Sequence, residues 1–145
     1  MNRGEIVSNV ALFGYAAYMA KETTLRLIIA LYLFATVFNT VLKYAVHKIL
    51  PGESWTCRPE KSCYKIRNPQ ELGMPSGHAQ TIFTLLGYFA PNELWHYIAG
   101  LIVMIGRVDG GRHTILQVIV GAMVGYWSGK MLRQCVKFNQ LAGVL

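Results

Sequence analysis

The run "LIIALYLFATVFNTVLKYAV", residues 27–46, limits what this chain can fold into more than any other stretch. Lys43 is its one charged residue. As a helix it measures about 30 Å, the thickness of the hydrocarbon core of a bilayer. A spanning element must satisfy its own backbone hydrogen bonds, which favours helices throughout. Four further apolar segments follow the same logic, at residues 6–20, 76–90, 94–105 and 114–131. "PNE", residues 91–93, separates the third segment from the fourth. The shorter segments reach only about 18–22 Å, so they are core helices or they extend through polar residues that line a cavity. The expectation is an all-α integral membrane bundle of about five transmembrane helices, with residues 1–145 as a single domain.

Composition supports a solvent other than water alone. Hydrophobic residues make up 53% of the chain and charged residues 14%, against about 25% charged in a typical soluble domain. The mean hydropathy is +0.32. The net charge of +7 could suggest nucleic acid, but the basic residues sit in loops between apolar runs rather than along one polar face. Anionic lipid head groups and phosphate-bearing substrates fit that placement, and nucleic acid does not. The first apolar segment reads as mature protein, without a convincing cleavage site for a signal peptide.

Smaller features have structural readings. Gly121, Gly125 and Gly129 strip one helix face and permit close packing in lipid. Trp55, Trp95 and Trp127 read as interfacial anchors, and His47 and His96 as interfacial. Cys57 and Cys63 share one polar loop without zinc-ligand spacing, so they are either a disulfide or two free thiols.

The remaining polar material forms two loops, residues 47–75 and 106–113. If the third and fourth segments form a hairpin, both loops emerge on one membrane face. That face then collects Arg58, Ser76, Gly77, His78, Arg107 and His113. Arginine forks match phosphate oxygens. A helix starting after Pro75 offers free N–H groups and a positive dipole end, and Gly77 lets an anion approach the backbone. Two histidines supply a nucleophile and a proton donor. The set contains the ingredients of phosphoryl transfer without a metal or cofactor.

The ordered motifs "RP" (Arg58, Pro59), "PSGH" (Pro75, Ser76, Gly77, His78) and R-x5-H (Arg107, His113) resemble the three-part signature of the type-2 phosphatidic acid phosphatases. "GMPSGHAQ" further resembles the dolichyl diphosphatase version. The resemblance implies that His113 attacks phosphorus and His78 protonates the leaving oxygen. It implies that Arg58, Ser76, Gly77 and Arg107 hold the phosphate, with a lipid phosphate as substrate and the site on the lumenal or extracytoplasmic face. Polyprenyl diphosphate is the first substrate expected, and a phosphatidate-type monoester the alternative. The chain departs from the family at three positions. Pro51 stands where the family has a lysine, and Lys48 takes that role if the "PGES" turn loops out. Gly106 replaces a serine. Gln117 replaces the aspartate that orients the nucleophilic histidine; it can accept the same hydrogen bond but supplies no negative charge. That change implies a slow enzyme, with Asp109 as a candidate substitute, or a silent protein that only binds lipid phosphate.

Overall fold

The structure, a computed structural model, describes residues 3–22, 25–50, 56–59 and 71–141. Trp55, Lys61, Cys63, Lys65 and Arg67 lie outside the described residues. Five helices follow in order: α1 (Arg3–Glu22), α2 (Leu25–Ile49), α3 (Gly77–Phe89), α4 (Leu94–Asp109) and α5 (Ile115–Leu141). Each contains one of the five apolar segments apart from a residue or two at the ends of α3 and α5. Among the described residues there is no strand, only an isolated antiparallel bridge between Cys57 and Leu72.

The shortest helix is the most enclosed. Ile82, Leu85 and Leu86 of α3 are buried and join Leu12, Tyr15, Ile28, Leu31 and Val103 in one core. α3 packs most extensively on α5, and the glycine stripe explains how. A Cβ at Gly121, Gly125 or Gly129 would collide with the backbone carbonyls of Ser76, Gln80 and Thr84 respectively. One such contact per turn brings the two backbones together, as the four-residue spacing implies. Where Gly4 and Ser8 of α1 cross Gly106 and Gly110 of α4, the approach is equally close. α3 ends at Ala90, whose N–H bonds Leu86 O at 2.8 Å, and Pro91 cannot continue the helix.

The surface is apolar where a soluble protein would be polar. Val10, Phe13, Val37, Val41, Ile105, Ile115, Met123 and Met131 are each more than half exposed, while Asn39, Lys43, Gln80, Thr84 and Gln117 are buried. Two helices are long and apolar enough to cross a membrane, Leu25–Ile49 and Ile115–Phe138.

His96 differs from its interfacial expectation. It is buried, shares a hydrogen bond with the Tyr15 hydroxyl at Nδ1 (3.0 Å) and contacts Glu93 through Nε2 (3.2 Å). Trp95 stacks on it at 3.7 Å. The first turn of α4 turns this ring toward α1, and its two polar partners make burial tolerable.

Candidate active site

The starts of α1, α3 and α5 and the ends of α2 and α4 meet at one end of the bundle. The described parts of both polar loops gather there, as a hairpin of α3 and α4 requires. The short segment carrying Arg58 is pinned by backbone bonds. Thr56 O accepts from Gly73 N (2.9 Å) and Met74 N (3.1 Å), and Arg58 N donates to Glu71 O (3.3 Å). Cys57 is disulfide-bonded; Cys135 is free and exposed. The Met74–Pro75 peptide is cis.

His113 is 3% exposed and closes the loop after α4. Its N–H donates to Arg107 O at 3.2 Å, and Gly111 takes the left-handed φ of 65° that glycine adopts without strain. Nδ1 lies 3.1 Å from Gly73 O and 3.1 Å from Gln117 Oε1. A carbonyl can only accept, so Nδ1 carries the hydrogen and Nε2 carries the lone pair. The tautomer that a nucleophile attacking through Nε2 requires is therefore set by the backbone as well as by the side chain.

Gln117 is fully buried and joins four elements. Its Nε2 donates to Cys57 O at 2.7 Å, which orients the amide and turns Oε1 toward His113. The same Oε1 accepts from Thr114 N (3.2 Å), while Gln117 N donates to Thr114 Oγ1 (3.3 Å). These reciprocal bonds are a capping box that starts α5. Gln117 O accepts from Ser76 N at 3.0 Å, tying α5 to the start of α3. Gly73 leaves room for the amide; a Cβ there would fall within 2.7 Å of its Nε2, Oε1 and Cδ atoms.

Ser76 stands at the N-cap of α3 but makes no side-chain cap. Its Oγ is buried without a hydrogen-bond partner among the described residues. Such a hydroxyl costs about 1–3 kcal/mol unless something else binds it. It lies beside the Gly77 and His78 N–H groups, which precede the first intrahelical bond, Gln80 N to Ser76 O at 2.9 Å. Asn39 of α2 supports this turn by donating to Pro75 O (3.2 Å) and Gln80 Oε1 (2.8 Å). We expect Ser76→Ala to leave stability unchanged or raise it by about 1 kcal/mol, while cutting kcat/KM by about 10–100-fold. Denaturant titration and steady-state kinetics check both halves. Parallel losses in both would mark the serine as structural.

The electrostatics bring the remaining residues together. Arg107, Arg58 and Lys43 act on both His78 and His113. Arg107 and Lys43 are buried. Lys48, the lysine expected at the phosphate, is exposed. α2 continues unbroken to Ile49, so residues 43 and 48 point about 140° apart around the helix, and only Lys43 faces α3. Asp109 lines an outer groove with Met104, Val108 and Ile115 and is not among the groups acting on His113. Arg112 pairs with Glu5 of α1.

Burial pushes the His113 imidazole down to about 3, with Arg107, Lys43 and Arg58 adding to the shift and the Gln117 hydrogen bond opposing it. The ring is thus neutral at pH 7. An unfolded histidine takes up its proton near pH 6.5, which the folded ring refuses. Its contribution to stability is therefore complete above about pH 6.5 and is lost as pH falls toward about 3. Wild type should lose more thermal stability than His113→Gln between about pH 7 and about pH 4. The opposite order would refute a buried neutral ring.

Sequence reasoning preferred Lys48 to Lys43, and it missed the capping role of Gln117 and Asn9 of α1, whose Oδ1 lies 2.7 Å from His78 Nε2. "TILQ", residues 114–117, is a capping-box pattern that could have revealed the second. The single charge in the apolar stretch of α2 could have flagged the first. Nothing local marks Asn9.

Lipid phosphate phosphatase epsilon 2, chloroplastic, of Arabidopsis thaliana is 35% identical over 104 residues, 62% of this chain and 33% of that protein. The chain thus spans about a third of the length of that curated relative. No solved structure matches it. The model of the PAP2 superfamily matches residues 24–141, which include both histidines, Arg58, Arg107 and the serine at the start of α3. The chain belongs to the PAP2 superfamily.

Proposed function

We propose that this chain is a lipid phosphate phosphatase that works without a metal ion. The observation that carries the reading is that two imidazoles, one on α3 and one in the loop before α5, both feel the charges of the same three cations, Arg107, Arg58 and Lys43. The fully buried, unpartnered Ser76 Oγ beside a helix N-terminus supports an oxyanion at that point.

In this mechanism the His113 Nε2 lone pair attacks phosphorus. The P–O bond to the leaving group breaks, its electron pair stays on oxygen, and His78 gives that oxygen a proton. Arg58, Arg107, Lys43, the Ser76 hydroxyl and the Gly77 N–H stabilise the charge on the equatorial oxygens. The product is a phosphohistidine. His78, now neutral, takes a proton from water, whose oxygen attacks phosphorus. The P–N bond then breaks, inorganic phosphate leaves, and its electron pair returns to Nε2. Gln117 and Gly73 O hold the Nδ1 proton throughout.

The exposed apolar surface supports five spanning helices in a single membrane-embedded domain. The N-terminal end of α1 and both polar loops share one face, and we place it on the lumenal or extracytoplasmic side. "GMPSGHAQ" favours polyprenyl diphosphate as substrate; a phosphatidate-type monoester is the alternative. One observation favours a second reading, a lipid-phosphate-binding protein with little turnover: residue 117 is an amide where the family has a carboxylate.

The test is phosphate release by purified protein from polyprenyl diphosphate and phosphatidate in mixed micelles. Vanadate, which adopts the five-coordinate geometry of the transition state, should inhibit, and EDTA should not. Loss of activity on chelation, or no release from either lipid, would overturn the phosphatase reading.

A further inference from the structure

The family model begins at residue 24, so α1 lies outside it, yet α1 reaches the site. We propose, on the phosphatase reading above, that Asn9 of α1 is a positioning residue that holds the proton of His78 on Nε2 until the lipid's leaving-group oxygen takes its place.

Three observations carry this. The Asn9 Oδ1 to His78 Nε2 separation is 2.7 Å, and an amide oxygen only accepts, so the proton sits on Nε2. α1 is held firmly enough to place that oxygen. Gly4 packs on the backbone at Gly106 and Gly110, and Ser8 on Gly106, with no room for a Cβ at either Gly4 or Gly106, and Glu5 pairs with Arg112 of the loop before α5. Finally, Leu12, three residues on and thus on the same face as Asn9, lines a cavity of about 260 Å³ together with Lys43, His78 and Thr81. That cavity continues along α2 past Thr40 and Thr36 to Tyr32. A lipid whose tail lies in this cleft brings its ester oxygen up to His78 on the side where Asn9 now sits. Asn9 thus occupies the leaving-group position and keeps the Nε2–H of the His78 imidazolium aimed at it, so that giving up this proton in the first step leaves a neutral ring.

The experiment compares wild type, Asn9→Leu and Asn9→Asp in steady-state kinetics on two substrates. Phosphatidate expels an alkoxide and needs a proton; p-nitrophenyl phosphate expels a stable phenolate and does not. Asn9→Leu, of similar shape but without an acceptor, should lower kcat on phosphatidate about tenfold with KM changed less than about twofold. Its rate on p-nitrophenyl phosphate should stay within about twofold of wild type. Asn9→Asp retains an acceptor oxygen and should keep phosphatidate turnover within about threefold.

Equal losses on both substrates, or no loss with Asn9→Leu, would overturn the proposal and leave the phosphatase reading standing. So would a wild type that cleaves only a diphosphate, whose phosphate leaving group needs little protonation. No turnover by wild type on any of these substrates removes both. Should Asn9→Leu fail to fold, the side-chain 15N spectrum of His78 in wild type decides. A proton on Nε2 supports the proposal, and an unprotonated Nε2 refutes it.

Discussion

His113→Ala is expected to abolish phosphate release, lowering kcat by about 10⁴-fold or more, as loss of a covalent nucleophile does elsewhere. The variant keeps the Ser76, Gly77, Arg58 and Arg107 environment, so it should still bind vanadate or inorganic phosphate. Fold should survive, because Gln117 keeps its bonds to Thr114 and to Cys57 O. The expected loss of stability is about 1–3 kcal/mol, from the hydrogen bonds of the imidazole and the space it leaves. Rapid quench of wild type with labelled substrate should trap an acid-labile, alkali-stable phosphoenzyme that His113→Ala lacks. An alanine variant that retains turnover would rule out nucleophilic attack from this loop, whatever the kinetics of the other residues.

Gln117→Asp and Gln117→Leu should move activity in opposite directions. Aspartate restores a negative charge beside the His113 Nδ1–H and stabilises the imidazolium character that develops on attack. We expect kcat to rise about tenfold or more. It also gives up the donor to Cys57 O, the shortest hydrogen bond that Gln117 makes, so stability should fall by about 1–2 kcal/mol. The Arg58 segment stays in place because Thr56 O holds Gly73 and Met74 and Arg58 N holds Glu71 O. Leucine removes both functions of the amide. It leaves Thr114 N–H and Cys57 O without this partner inside a fully buried site, and the ring of His113 is left to Gly73 O alone on that side. Stability should drop by about 2–4 kcal/mol and kcat by about 10²-fold or more. If wild type and Gln117→Asp are both inactive while vanadate still binds, the chain is the lipid-phosphate-binding protein of the second reading.

Much of this molecule was legible in the linear order of its residues. Five apolar runs became five helices because each run is interrupted by residues that lipid or a packed core excludes, such as "PNE" at the turn between α3 and α4. The packing face of α5 was legible because glycine at four-residue spacing has one physical use in a helix, which is to admit another backbone. That Arg58, Ser76, His78, Arg107 and His113 fall at one end of the bundle was legible because they sit in the two polar loops and the helix start that a hairpin of α3 and α4 brings to one side. Lys48 is exposed and Lys43 buried for a geometric reason. Sequence distance from Arg58 was measured along a loop, whereas α2 runs rigidly to Ile49 and fixes which lysine faces inward.

Residue types and their spacing were enough to set the helices, the family and the kinds of group at the site. Only the packing of α1 on α4, of α2 on α3, and of residues 56–58 on 71–74 decided which atoms meet. It turned the Gln117 amide so that its oxygen faces His113, put Lys43 in place of Lys48, and brought Asn9 to His78 from a helix outside the family's matched region. The Gln117 and Asn9 outcomes depend on contacts between residues 60 and 69 positions apart. Their geometry is set by how whole helices cross, and no local pattern of side chains encodes it.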